Sequence, residues 1–149
     1  EAKLTFMVGC EKVFFTYIEP LLKLMGTRIN HIGNYGSGMM VKVLNNFIAA
    51  SSVVSVRYVL HQAQKFELDI DALFKTIDTS SGQTWFGTNR ADIEWFKENF
   101  ENDNTMGILK KDVEAYVDSF ENESDLDNFV SGELSASIIK AINNMPAIK

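Results

Sequence analysis

The sequence predicts a mainly α-helical domain built around one long central helix, with short strands ahead of it. Residues 39–65 predict the central helix, because apolar side chains there fall on nearly every helical face, as in a helix buried in the middle of a domain. Helical spacing of apolar residues on both sides of this stretch predicts the surrounding helices. Two short runs before it, residues 4–9 and 27–32, predict the strands.

The first strand begins almost at the first residue, and a lone buried strand is not stable. We therefore expect the chain to be a piece of a longer protein whose sheet continues upstream. Residues 11–25 then carry apolar residues with a helical period, and Gly26 is the expected C-terminal stop. Pro20 lies inside this helix and is expected to kink or split it.

Three glycines within residues 33–38 predict a tight turn, because glycine costs backbone entropy inside a helix or strand. Ser37 is expected to cap the central helix, its hydroxyl accepting from free backbone amides. The turn does not match the common nucleotide-binding motifs, since neither G-x-G-x-x-G after a strand nor a closing G-K-[ST] is present.

The second half of the chain predicts further helices. Asp69 or Asp71 caps a short one, residues 79–85 form a loop, and aromatic residues between 93 and 100 are expected to be packing residues. Residues 106–120 predict a helix, and the acidic residues 121–127 predict a connector. The last predicted helix is amphipathic, with an apolar face made by Leu126, Phe129, Val130, Leu134, Ile138, Ile139 and Ile142.

Composition narrows the class of protein. The net charge is −6, with seven basic against three acidic residues up to position 66 and seven against seventeen after it. An acidic chain without a basic patch argues against a nucleic-acid partner. Charged and amide residues interrupt the longest apolar run, so we predict no membrane span. One cysteine and two separated histidines predict no metal site and are consistent with a cytoplasmic protein.

Three polar residues, Lys42, Asn45 and Asn46, lie in the apolar opening of the central helix. Lys42 and Asn46 are four residues apart and so share one helix face. Burial and the positive end of the helix dipole would both favour the neutral amine of Lys42, which could then exchange protons near neutral pH. The alternative is that Lys42 extends to solvent and that the asparagines bond to nearby backbone groups.

The run G-x-x-G-x-G-x-x-x-K-x-x-N-N over residues 33–46 resembles the β-hydroxyacid dehydrogenases, the group that contains 3-hydroxyisobutyrate dehydrogenase, tartronate semialdehyde reductase and, more distantly, 6-phosphogluconate dehydrogenase. The resemblance covers residues 4 to about 119. It implies that Lys42 is the catalytic acid/base and that Asn46 holds the substrate. Asn45 stands where the 6-phosphogluconate enzymes typically carry histidine, so a smaller 3-hydroxy acid is implied as substrate.

A second family motif, K-D-L, is matched by Lys111 and Asp112, with valine for leucine. The resemblance implies that Lys111 faces the nicotinamide cofactor, whereas Lys110 does not match and is expected to face solvent. The segment S-S-G-x-x-W that ends at Trp85 is also common in the family. By itself a Lys-Asp pair on an exposed helix is usually a solvated charge pair.

The resemblance also implies an organisation and partners. Residues 1–32 would be the tail end of a nucleotide-binding (Rossmann) domain, and residues 33–149 a helical substrate and dimerisation domain like the C-terminal domain of 6-phosphogluconate dehydrogenase. NAD or NADP would be bound mainly by the upstream domain, so the isolated chain is not expected to bind NAD usefully. A small anionic hydroxy acid is the implied substrate, and a homo-oligomer is expected. The rival hypothesis is a non-enzymatic helical dimerisation or binding module.

Overall fold

A computed structural model of the chain describes residues 4–121 and 129–148. The elements are β1 (Thr5–Gly9), α1 (Lys12–Leu22), β2 (Arg28–Gly33), α2 (Ser37–Lys65), α3 (Ile70–Ile77), α4 (Trp85–Asn89), a 3-10 turn (Glu94–Lys97), α5 (Thr105–Phe120) and α6 (Glu133–Asn143). The predicted fold class, mainly helical around one long helix with a short strand pair at the front, is confirmed.

The chain forms two compact units, one ending at Asn45 and the other beginning at Asn46. This division falls within α2 rather than between residues 32 and 33, where the resemblance places the domain boundary; that boundary stays a prediction. Each unit is described by itself below.

The first unit is built on a parallel pair of strands. β1 and β2 run parallel from Thr5 opposite Arg28, and α1 packs against β2. His31 on β2 lies 4.7 Å, ring to ring, from the buried Phe15 on α1, and its Nε2 is 2.7 Å from the carbonyl oxygen of Cys10. A carbonyl can only accept, so Nε2 carries the proton. His31 is therefore a satisfied structural residue.

Helix α1 runs through Pro20 to Leu22, so, of the predicted kink or split, the split does not occur. Proline removes one N–H donor, which leaves the carbonyl of the residue four positions earlier, Thr16, without its helical partner. Both Thr16 and Pro20 are exposed, so water can take the place of that donor.

The glycine turn brings the start of α2 against the end of β1. Gly36 has a φ of +88°, a conformation that glycine adopts without strain. A side chain at Gly9 would approach the backbone of Gly38 and Asn34, and one at Gly38 would meet the backbone of Met7. Ser37 is the first residue of α2 rather than the residue before the helix, so the prediction that it caps the helix is wrong. Its hydroxyl donates to the carbonyl of Asn34 at 2.6 Å.

The second unit contains the main hydrophobic core. Its buried side chains come from α2, α3, the 3-10 turn, α5, α6 and the segment after α6: Ala50, Val53, Val54, Val56, Leu60, Phe74, Phe96, Met106, Leu109, Val113, Ile138, Ile142 and Met145. Phe96 within the aromatic stretch is fully buried, which confirms that it is a packing residue. The expected connector and Leu126 fall outside the described residues, apart from Glu121. Phe129 is 94% exposed and precedes α6.

The apolar pattern predicted that α2 is buried on nearly every face, and this prediction is wrong. Its core-facing residues are buried, but Leu44, Ile48 and Val59 are exposed. By length and mean hydropathy (1.5 over 18 residues), α2 is the one helix in the described part that could cross a membrane. Core helices of soluble proteins meet the same criterion, so this is weak evidence.

Candidate active site

Lys42 lies near the start of α2, five residues after its first residue, Ser37. Its side chain is exposed. The expectation that Lys42 is buried is therefore wrong for this chain, and its exposure fits the alternative that Lys42 extends to solvent.

Asn46 lies one helical turn after Lys42 and is half-buried. Its Nδ2 donates to Oδ1 of Asp112 on α5, with 2.9 Å between the two atoms. Because a carboxylate can only accept, this partner decides which end of the amide faces α5. The bond ties α2 to α5 and holds the Asn46 side chain in one orientation.

A ring contact supports this tie one residue further along α2. The rings of Phe47 and Tyr116 are stacked, with centroids 3.9 Å apart and an interplanar angle of 18°. Tyr116 follows Asp112 by one turn of α5, so the polar and aromatic contacts join the same two helices side by side. Asn45, the neighbour of Asn46, is exposed on α2.

Of the two adjacent lysines on α5, Lys110 differs from its expected exposure to solvent. Lys111, implied to face the cofactor, is exposed. Lys110, expected to face solvent, is instead half-buried, with its ammonium 3.5 Å from Glu114 and over the ring of Phe100 at 5.8 Å. The motif-matching Lys111 is thus the lysine that is accessible to a ligand, and Lys110 is held in contacts within the chain.

The site residue that sequence reasoning did not single out is Asp112. Its carboxylate belongs to the same motif as Lys111, but a Lys-Asp pair predicts a solvated charge pair rather than a partner for Asn46. Asp112 could have been found by looking for a polar partner for Asn46: both are polar residues on predicted helices that are otherwise apolar. In the described part of the chain, no group of three or more His, Cys, Asp or Glu side chains could hold a metal ion.

Comparisons with known proteins agree with the resemblance. Residues 36–130 match the family model described as NAD-binding of NADP-dependent 3-hydroxyisobutyrate dehydrogenase. The mitochondrial 3-hydroxyisobutyrate dehydrogenase of Drosophila melanogaster is 34% identical over 85 residues, which cover 57% of this chain and 26% of that protein. The chain therefore spans about a quarter of the length of this relative.

Two solved structures share the fold. A Mycobacterium tuberculosis 3-hydroxyisobutyrate dehydrogenase with L-serine superposes with a TM-score of 0.77 at 21% identity, over 98% of this chain and 52% of that one. Psf3 in complex with NADP+ and 2-OPP superposes with a TM-score of 0.64 at 14% identity, over 92% and 48%. The family model covers most of the chain, and the chain thus belongs to the 3-hydroxyisobutyrate dehydrogenase family and contains its C-terminal, NAD-binding domain.

Proposed function

We propose that this chain supplies the acid/base and substrate-binding side chains of an NAD(P)-dependent dehydrogenase that acts on a small 3-hydroxy acid. The observation that supports it best is the hydrogen bond from Asn46 to Asp112, which fixes a substrate-binding amide one turn after Lys42 on α2. Family membership supports the reaction class, and the individual substrate is left as a short 3-hydroxy acid.

Lys42 is the proposed proton donor and acceptor. In reduction its charged amine donates a proton to the carbonyl oxygen of the substrate, and in oxidation the neutral amine takes the hydroxyl proton. The side chain of Lys42 is exposed, so a substrate can reach it.

Asn46 is the proposed substrate anchor, fixing the hydroxyl or the carboxylate. Its amide is already held by Asp112, so little side-chain freedom is lost when a substrate binds. Asn45, exposed beside it, is the proposed second contact to a small substrate. Asp112 acts as a positioning residue for Asn46.

The nicotinamide cofactor accepts or gives the hydride when it is bound. Lys111 is the residue proposed to contact it, because Lys111 matches the family motif and its exposed ammonium can reach a ligand. In the glycine turn, the Ser37 hydroxyl and amide both donate to the carbonyl of Asn34 at 2.6 and 3.1 Å, so these two donors are not directed at a pyrophosphate. We therefore expect no useful binding of NADH or NADPH by the 149-residue chain alone.

The test is the activity of the complete dehydrogenase that contains this chain. Lys42→Ala is expected to lower kcat on short 3-hydroxy acids by about 10²–10⁴-fold, since general acid–base assistance is worth that much. Lys65→Ala, a change to another exposed lysine of α2, is the matched control and should leave kcat unchanged. Unchanged turnover after Lys42→Ala would refute the catalytic role and favour the rival hypothesis of a non-enzymatic module.

We also propose that the protein is a homo-oligomer. Large apolar side chains are exposed on α1, among them Phe14 and Leu21, and on the part of α2 that contains Ile48. Exposed apolar surface often marks a protein–protein interface. Sedimentation of the chain across a range of concentrations measures its mass. A strict monomer at high concentration would contradict this proposal.

A further inference from the structure

A cavity of about 260 Å³ opens in the second unit, between the C-terminal half of α2 and residues 141–148. This volume is close to the lower end of the range for small-molecule sites, roughly 300–1,000 Å³. Arg57, Tyr58, His61 and Gln64 of α2 line one side, and Met145 and Ile148 lie on the other. His61 follows Asn46 by fifteen residues, so the cavity is about 22 Å along α2 from the candidate active site.

Arg57 makes this cavity unusual, because its guanidinium is buried, with 5% of the residue exposed. The guanidinium donates to three backbone carbonyls, those of Phe96, Glu98 and Pro146. Glu98 offers its carbonyl rather than its carboxylate, and no ion pair to Arg57 occurs within residues 4–121 and 129–148. Burial lowers the pKa of Arg57, as expected for a charge that has lost water without gaining a countercharge.

The side chains that line the cavity favour a bound anion over a bound cation. The chain carries twenty Asp and Glu residues, yet none of the lining side chains is acidic. Arginine has five N–H donors, and the three carbonyls account for three of them. His61, one turn after Arg57 on the same helix face, adds a second nitrogen group beside the guanidinium. This side of the cavity therefore favours an anion.

The opposite side of the cavity is mainly apolar, with Asn144 as its one polar side chain, and this apolar surface favours an organic anion over an inorganic one. Met145 is buried and Ile148 half-buried, and Val54 and Ala141 complete the apolar lining. A bare phosphate or sulfate would gain nothing from these side chains, whereas an aliphatic chain would remove their surface from water.

We propose that this cavity binds a small aliphatic carboxylate, with the carboxylate group at Arg57 and His61 and the hydrocarbon chain against Met145 and Ile148. The bound anion supplies the countercharge that Arg57 lacks among the described residues. This site is separate from Lys42 and Asn46, and it does not depend on the proposed catalytic function.

The test uses the 149-residue chain and three probes in calorimetric titrations: hexanoate, hexan-1-ol and acetate. Hexanoate is expected to bind saturably at one site. Hexan-1-ol keeps the hydrocarbon chain but lacks the charge, and should bind at least about tenfold more weakly because it loses the charge-assisted hydrogen bonds. Acetate keeps the charge but loses four methylene groups, and should bind at least about tenfold more weakly because the apolar contact is lost.

Variants then locate the site. His61→Ala is expected to weaken hexanoate binding about tenfold, and Ala147→Leu should abolish it by filling the cavity from its exposed rim. Gln62→Ala is the matched control, because Gln62 is exposed on α2 beside His61 but does not line this cavity. His61 and Ala147 are both exposed, so their variants are expected to fold, and circular dichroism checks this.

Three outcomes would overturn the proposal. The first is no saturable binding of hexanoate to the folded chain. The second is equal affinity for hexanoate and hexan-1-ol, which would mean that no charge is recognised. The third is hexanoate binding that Ala147→Leu leaves unchanged, which would place the ligand outside this cavity.

Discussion

Gly38 in the first turn of α2 gives the sharpest test of how the first unit is packed. A Cβ added at this position would lie 2.4 Å from the carbonyl oxygen of Met7 and 3.0 Å from the backbone nitrogen of Gly9. Both atoms belong to the backbone of β1, so no side chain can rotate away to make room. Gly38→Ala is therefore expected to separate the start of α2 from β1.

The magnitude follows from two opposing effects. Ordinary contacts of a Cβ begin near 3.4 Å, so the backbone would have to move by about 1 Å to accommodate the methyl group of Gly38→Ala. Overpacking of this kind costs up to about 3 kcal/mol. Alanine in place of glycine inside a helix stabilises the fold by about 1 kcal/mol, which offsets part of this cost. We expect a net loss of about 2 kcal/mol in the free energy of unfolding.

Urea unfolding followed by circular dichroism measures this loss, and amide hydrogen exchange in β1 measures it locally. Gly82→Ala is the matched control. Its added Cβ would lie 3.8 Å from Cγ2 of Ile77, an ordinary contact, so it should be neutral or add up to about 1 kcal/mol. If Gly38→Ala proved as stable as the unsubstituted chain, the close approach of α2 and β1 would be refuted.

Three further predictions concern the hydrogen bond of the candidate site, the core and a surface ion pair. Asn46→Ala and Asp112→Ala should each lower the free energy of unfolding in urea by about 1–2 kcal/mol. The double variant should lose about 1 kcal/mol less than the sum, because both changes remove the same bond, and strict additivity would argue against that bond. Ile142→Ala, at a fully buried position, should cost about 2–5 kcal/mol, and a smaller loss would mean that α6 packs loosely. The hydrogen bond from Lys23 lowers the pKa of Glu19 below its ordinary value of 4.5. The charged carboxylate therefore stabilises the fold above pH 4.5, and this stabilisation is lost as the pH falls. Glu19→Gln should therefore lower Tm slightly at neutral pH and not at about pH 3, and an equal difference at both would contradict the assignment.

The position of the long helix could be predicted from the sequence, whereas the burial of its faces could not. The apolar run predicted residues 39–65, and the helix is Ser37–Lys65. Helix formation depends on neighbours along the chain, so a local pattern is informative. Burial depends on what else packs against the helix, and the exposed Leu44 and Ile48 show that an apolar residue need not be covered by the residues described here.

The candidate site shows the same division between local and distant information. The motif identified Lys42, Asn46 and Lys111 one by one. The bond from Asn46 to Asp112 joins residues 66 positions apart, and no spacing rule relates such distant residues. The burial of Arg57 was also missed, since an arginine within an apolar run predicts an interruption rather than a buried donor.

The contacts of Arg57 have a consequence for how the protein is made. Its carbonyl acceptors lie 39, 41 and 89 residues later in the chain. Translation at about 5–20 residues per second takes roughly 4–18 s to cover the longest of these separations. During that interval Arg57 lacks its most distant acceptor, so we expect this part of α2 to reach its final packing only after Pro146 has left the ribosome.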